Sequence, residues 1–404
     1  MKEASSWLDD LKLRASWGIN GNDMIDNTAT YEKYLASLNN ASYNLTGDGV
    51  TLAPGAYKTA SGNNNLRWEQ TEQWNFGFDA TLLKGRLGIA FDWFKKMTTD
   101  MLIQRDYIGV IGEGGKYWYN GISMNNTGVE ATLSWNDQVR DFSYDLSLNI
   151  SYYKNKITDL PEDIYYTYGG GNGVDQTIVG QPYGSWMGYK TNGVFRTQQE
   201  VDEYKAKYKV EFGEPGVGRL RYEDVNHDGT ISTADRTWLG SDQPKVIAGL
   251  NVGARYKGFD LSLFFNGMVR DAYNNSKYYT DFFQLWTGNH STRLLDAMHA
   301  WTNYEHTGVY NCDIPALTTS TNNNEGLTNE YYIENGSYIK LKTLTFGYTF
   351  PTDMIEKIRL NNVRLYFQAQ NLFTITGYKG ADPEGLGYTY PQPRTFTFGL
   401  NVGF

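Results

Sequence analysis

The sequence predicts an all-β chain: an antiparallel, membrane-spanning β-barrel portion of about ten strands with long outer loops that carry short helices. Three observations lead there. Apolar and polar residues alternate with a period of two over segments of about ten residues. Connections between these segments alternate strictly between short and long. Aromatic residues that suit a membrane–water boundary are abundant, with 32 Tyr and 11 Trp among 404 residues.

The period comes first. Phe142, Tyr144, Leu146, Leu148, Ile150 and Tyr152 share one face, opposed by Ser143, Asp145, Ser147, Asn149 and Ser151. Phe259, Leu261, Leu263 and Phe265 oppose Asp260, Ser262, Phe264 and Asn266. Phe396, Phe398, Leu400, Val402 and Phe404 oppose Thr395, Thr397, Gly399, Asn401 and Gly403. Strands are expected at 11–18, 66–82, 86–97, 126–136, 142–156, 244–256, 259–270, 337–349, 362–373 and 394–404. In 337–349, Ile339 and Leu341 fall out of phase with Leu344, Phe346 and Tyr348, which predicts a bulge. An eleven-residue strand tilted by about 45° spans roughly 25 Å, the height of an outer-membrane apolar band.

The connections come second. Residues 83–85, 137–141 and 257–258 read as tight turns, and 351–361 as a compact link with a helical turn at 353–358. Between them lie 19–65, 98–125, 157–243, 271–336 and 374–393, expected as outer loops. A barrel threaded through a membrane places all long loops at one end, whereas a soluble sandwich has no reason to. Gln198–Lys207 reads as a short charged helix and 277–301 as a longer aromatic-rich helical stretch, whose rings either pack within the loop or meet a ligand.

Composition excludes several classes. No run approaches the roughly 18 apolar residues of a transmembrane helix, and mean hydropathy is −0.55. Barrel strands average out in the same way, so neither fact opposes a barrel. The net charge of −9 argues against nucleic acid. The single Cys312 can make no intrachain disulfide, and His227, His290, His299 and His306 follow no metal-binding spacing and read as loop residues. No catalytic constellation is present, so an enzyme is not expected. Arg196 and Arg236 lie near aromatics, where anion or sugar binding competes with ordinary solvated charge. The first residues carry no basic region, apolar stretch and small-residue cleavage site, which predicts a piece of a longer protein.

The sharpest local motif is D-x-N-x-D-G-x-I-x-x-x-D at 224–235, the pattern of a calcium loop. Asp224, Asn226 and Asp228 supply oxygens at positions one, three and five. Thr230 offers its backbone carbonyl, Ser232 acts directly or through water, and Asp235 closes the loop. Gly229 permits the sharp turn and Ile231 packs the loop down. The closing residue is Asp in place of the usual Glu, so it must reach further. The bland alternative is an Asx-rich surface turn. A structural Ca2+ is expected, cross-linking a long loop that lacks a core. Dockerin-like modules carry two such loops, and only one is found here.

Several stretches together resemble the SusC/RagA type of TonB-dependent outer-membrane transporter of Bacteroidota. They are LRASWGINGN at 13–22, LRWEQTEQWNFG at 66–77, NTGVE at 126–130, VGQPYG at 179–184, the stretch 218–235, SYIKLKTLTFGY at 337–348, QNLF at 370–373 and PQPR at 391–394. The terminal Phe404 in an alternating strand is similar to the assembly signal of such proteins. The resemblance spans essentially the whole chain, 1–404, as the C-terminal part of the barrel. It implies a bacterial outer-membrane location and an open arc of a 22-stranded barrel, with about twelve strands, a plug and a TonB-contacting N-terminal region elsewhere. It further implies import of oligosaccharides or peptides, driven by the TonB complex, and a SusD-like surface lipoprotein as partner. The alternatives are a secreted β-rich protein that binds or cleaves glycans, with a calcium-stabilised loop, and a passive porin-like adhesin. The first requires a closed fold and, for cleavage, two carboxylates about 5–10 Å apart.

Overall fold

The computed structural model describes residues 7–106, 116–160, 179–285, 289–386 and 390–404. Ten long strands follow one another in space as they do in sequence. They are β1 (Leu8–Asn22), β2 (Glu69–Leu82), β3 (Leu87–Asp106), β4 (Lys116–Val139), β5 (Phe142–Asp159), β6 (Val246–Tyr256), β7 (Phe259–Val269), β8 (Tyr338–Thr349), β9 (Asn362–Thr376) and β10 (Thr395–Gly403). Every neighbouring pair is antiparallel. The path is linear: β1 and β10 do not pair, so the sheet is an open arc and not the closed fold a secreted sandwich needs.

The register shows why the alternation exists. One row crosses all ten strands through Leu8, Leu82, Leu87, Trp135, Leu146, Val252, Leu263, Leu344, Ala369 and Phe396. Every member is apolar. The adjacent row runs through Asp10, Thr81, Gly88, Ser134, Ser147, Asn251, Phe264, Thr343, Gln370 and Thr395, and every member but Phe264 is polar or glycine. Successive residues of a strand point to opposite faces, so the sheet has one apolar and one polar face. Leu13, Trp17, Phe346, Leu365 and Phe398 stand exposed on the apolar face. Burying such a face stabilises by about 25 cal/mol per Å², and among the described residues none covers these side chains. The polar face holds internal ion pairs: Arg14 binds Asp79 and Asp92 at 2.9 and 2.8 Å, and Arg364 binds Asp260 at 2.6 Å.

Aromatic pairs mark both rims of the apolar face, as an interfacial belt requires. At the short-turn end Phe142 stacks on Tyr144 and Phe259 meets Tyr348, with centroids 5.7 and 4.6 Å apart. Towards the other end Trp17 meets Trp74 and Phe76 meets Trp93, both at 5.9 Å.

The predicted bulge is present. Leu341 and Thr343 face the adjacent residues Phe265 and Phe264, so Lys342 is the extra residue, and the register against β9 also slips there. The bulge keeps Lys340, Lys342 and Thr343 on the inner side. The expected helical turn at 353–358 is found as Thr352–Ile355 followed by a tighter turn, Glu356–Ile358.

Four expectations need correction. The predicted loop 98–125 is mostly strand, because β3 and β4 pair on through Leu102↔Asn120, Ile103↔Tyr119 and Gln104↔Trp118. Register slips between Thr98 and Leu102, with Asp100 at φ 55°, break the period and hid this extension. The predicted loop 19–65 contains the end of β1 and a hairpin, Lys33–Tyr43 with Ala53–Ala60. The helical stretch at 277–301 is interrupted: Lys277–Thr280 makes one turn, and α2 (Leu294–Thr307) starts only after Asp281 has been buried against other partners. His299 and His306 therefore lie on a helix and not in a loop. Parts of the expected outer loops, 107–115, 161–178, 286–288 and 387–389, lie outside the described residues.

Candidate functional site: a packed cap over the long-connection end

An antiparallel meander sends its connections alternately to its two ends. One end carries 83–86, 140–141, 257–258 and 350–361, and the other the long connections β1–β2, β5–β6, β7–β8 and β9–β10. The connections β5–β6 and β7–β8 fold together there into a cap.

Short ladders frame it. Ser185–Tyr189 pairs with Arg236–Ser241, Thr191–Val194 with Leu220–Tyr222, and Lys209–Val210 with Thr230–Ile231. From the other connection, Asp271–Tyr273 pairs with Ile333–Asn335. Helix α1 (Gln198–Lys207) begins where expected, capped by Thr197, whose hydroxyl accepts the Glu200 N–H. Gly308 in the left-handed region ends α2. The two connections share one core. Phe195, Val201, Leu220 and Ile231 from the first meet Ala300, Tyr310 and Ala316 from the second, all nearly inaccessible to solvent. The expectation of a loop without a core is thus wrong. Apolar residues spread over more than a hundred positions of sequence build this core, and no local period announces it.

Buried polar contacts lock the cap. Glu325 accepts bonds from Arg219 (2.9 Å), the Leu220 N–H (2.8 Å) and Asn323 (2.8 Å). Burial pushes the Glu325 carboxyl up, against the opposing pull of Arg219. Asp281 is also buried. Burial would raise it, yet bonds from Arg293 (2.7 and 3.0 Å), Tyr331 (2.8 Å) and Thr280 (2.8 Å) hold it below the usual carboxylate range. Lys340 and Lys342 reach from the inner face to Asp382 and Glu384 and fasten the β9–β10 connection against the sheet. Arg196 binds the carbonyls of Tyr310 and Cys312 and the Asp313 carboxylate, and Arg236 reaches the Met187 carbonyl at 3.5 Å. Both arginines hold the cap's backbone. Cys312 is a free thiol. The aromatics of 277–301 divide: Phe282 packs on Tyr331 and Tyr332, while Phe283 stacks with His290 near the surface.

The predicted calcium loop lies in the cap beside α1. Its Asp224 Oδ2 accepts the Gly229 N–H at 3.0 Å. Asp228 Oδ1 accepts the Thr230 N–H at 2.7 Å, and Asp228 Oδ2 accepts the Asn226 amide at 2.9 Å. Asp235 ties the ends, accepting the N–H of Val225 (2.9 Å) and of Ser232 (2.8 Å). The Ser232 hydroxyl accepts the Ala234 N–H at 3.0 Å. Gly229 has φ 79°, as the turn demands, and Ile231 is 1% exposed in the core. Burial raises the Asp235 carboxyl, and its neighbour Asp224 adds to the shift. Asp224 Oδ1 is buried with no hydrogen-bond partner, an oxygen for which the protein itself supplies no donor. The donor set is mixed: among the described residues no three His, Cys, Asp or Glu side chains converge as a ready cage, so amide, hydroxyl and carbonyl oxygens would complete any site.

No family model matches the chain. Individual relatives do. A TonB-dependent receptor of Formosa agariphila is 32% identical over 99% of this chain and 40% of its own length. The TonB-dependent receptor SusC of Bacteroides thetaiotaomicron is 30% identical over 98% of this chain and 38% of its own. Among solved structures, the RagAB peptide transporter superposes with a TM-score of 0.76 at 25% identity, covering all of this chain and 41% of that one. A closed form of the RagAB importer gives 0.75 at 26% identity. The chain spans about two fifths of the length of the relatives it matches. Those relatives are receptors and transporters, not enzymes. By sequence over nearly all its residues and by fold over all of them, this chain matches an outer-membrane β-barrel segment of the SusC/RagA type of TonB-dependent receptor.

Proposed function

We propose that this chain is part of an importer that carries oligosaccharides or peptides across the outer membrane, powered through TonB, with a SusD-like surface lipoprotein as partner. The observation that carries the reading is the all-apolar row across ten strands beside its polar neighbour. A face that continuous needs lipid outside and water or protein inside. The two open edges, rows of unpaired backbone groups, would be costly in hydrocarbon, so further strands complete the barrel. The cap then stands on the outer side, where substrate arrives and a lipoprotein can dock. RagAB is described as a peptide transporter, and this chain is 25% identical to it and 30% identical to SusC, so both cargo classes stay within the proposal.

The Asp224–Asp235 loop fits a structural Ca2+. The buried, unpartnered Asp224 Oδ1 supports this most directly. Asp224, Asn226, Asp228, the Thr230 carbonyl, Ser232 and Asp235 would hold the ion, which would screen the crowded carboxylates and brace the cap.

Import is tested by uptake of labelled oligosaccharides and peptides in cells carrying the complete gene, with and without a functional TonB. The proposal expects accumulation of one cargo class that disappears without TonB. Equal accumulation in both strains would support the passive-pore alternative.

A further inference from the structure

The β7–β8 connection forms a cleft of about 430 Å³, lined in part by residues that also brace the cap. Its size is within the roughly 300–1,000 Å³ of small-ligand sites. One wall is apolar and aromatic: Tyr278, Phe282, Phe283 and Leu285. The rest of the lining presents hydroxyls and amides, with Thr319, Ser320 and Thr321 exposed along it.

We propose that this cleft binds an uncharged sugar ring of an oligosaccharide, stacked on the aromatic wall and hydrogen-bonded by the hydroxyl wall. The proposal rests on the import reading and narrows its cargo. Three observations favour it. First, the cleft offers no charge to a ligand. Among the described residues Glu325 is its one carboxylate, and it is engaged by Arg219, the Leu220 N–H and Asn323. Among the described residues no lysine or arginine lines it, so neither an acidic sugar nor a peptide carboxylate finds a counter-ion there. Second, the polar wall is made of turns and irregular backbone, not an extended strand, so a peptide could not add by β-pairing. Third, the aromatic wall is held in place before any ligand arrives. The Gln284 amide bonds the Tyr278 carbonyl at 2.9 Å, and Phe282 is backed by Tyr331 and Tyr332. Asp281, between them, is fixed by Arg293 and Tyr331. Gly326 lies under the Tyr278 ring, where an added Cβ would come within 2.9 Å of Cε2. Preorganised rings lose little freedom on stacking, which suits the flat apolar face of a sugar, and their neighbours bind its rim hydroxyls.

The test uses the complete transporter purified in detergent. Titration calorimetry compares neutral hexasaccharides of glucose, mannose and xylose with a uronate hexasaccharide and with mixed-sequence hexapeptides. At least one neutral hexasaccharide should bind, and neither the uronate nor the peptides should match it. Phe283→Ala and Thr321→Ala should each weaken binding by about tenfold, the scale of one stacking or hydrogen-bonding contact. Gly326→Ala, which keeps every lining side chain but tilts the Tyr278 ring, should weaken it too. Preferred binding of peptide or uronate, no binding of any neutral sugar, or neutral-sugar binding unchanged in all three variants overturns the proposal. Uptake measured in parallel separates the two readings: TonB-dependent peptide uptake leaves import standing and removes the sugar cleft. Sugar binding without uptake does the reverse.

Discussion

Removing the Arg219 side chain isolates one buried contact among those that join the two halves of the cap. Its guanidinium and the Glu325 carboxylate are 11% and 3% exposed and 2.9 Å apart. Breaking a buried pair by deleting one partner typically costs on the order of 3–5 kcal/mol, because the other charge is left behind. Here Glu325 keeps two bonds, from Leu220 and Asn323, so Arg219→Ala should fall at the lower end, about 3 kcal/mol. The sign with pH follows from burial. Glu325 is already pushed up with Arg219 present, and without it the neutral form is favoured further. A carboxyl raised in the fold stabilises fully below its unfolded value and loses that contribution as pH rises through its folded one. The defect should therefore be largest near pH 8 and shrink towards pH 5. Pulse proteolysis of the cap in the complete protein, wild type against Arg219→Ala across this range, reads the difference. A defect below about 1 kcal/mol, or one that grows on acidification, would mean that Arg219 does not compensate a buried Glu325 charge.

Other perturbations probe the remaining parts. Leu263→Arg places a charge in the all-apolar row and should destabilise membrane folding by about 2–4 kcal/mol, while Ser262→Arg on the inner face should cost much less; urea titration in lipid vesicles compares them. Asp281 is held below the usual carboxylate range, so its contribution persists above that range and is lost only as pH falls through its lowered value. Hydrogen exchange over 278–285 should stay protected from pH 8 down to about 4, and loss between pH 7 and 5 would contradict this anchor. Chelation should speed proteolysis within 224–235, more so at higher pH because the raised Asp235 carboxyl ionises there, and Asp224→Ala should abolish the effect of added Ca2+.

The sheet was legible because its signal is local. Leu146 and Ser147 differ by one position and by one face, and lipid against lumen forces that difference along every strand. The bulge at Lys342 showed as a phase slip for the same reason. The hairpin at Lys33–Ala60 and the ends of β3 and β4 did not show, since strands that rise beyond the bilayer lose the two-phase surroundings that impose alternation. The cap was illegible as a core. Phe195 meets Tyr310 only through a fold that joins two connections. The spacing at 224–235 placed Asp224 and Asp235 within one short segment, whose ends Asp235 ties through the Val225 and Ser232 N–H groups. The cleft was not, because Phe283 and Thr321 are 38 positions apart in a segment with no period.

A nitroxide scan of β5 reads which face of the sheet meets lipid. In the complete barrel in lipid, with Cys312→Ser as background, single cysteines at 143–150 are labelled. Collision rates with oxygen and with a water-soluble nickel chelate are then measured. Labels at Tyr144, Leu146, Leu148 and Ile150 should favour oxygen, and those at Ser143, Asp145, Ser147 and Asn149 the chelate, with a period of two. A flat profile, or one with the two sets exchanged, would contradict a lipid-facing apolar row and the transporter built on it.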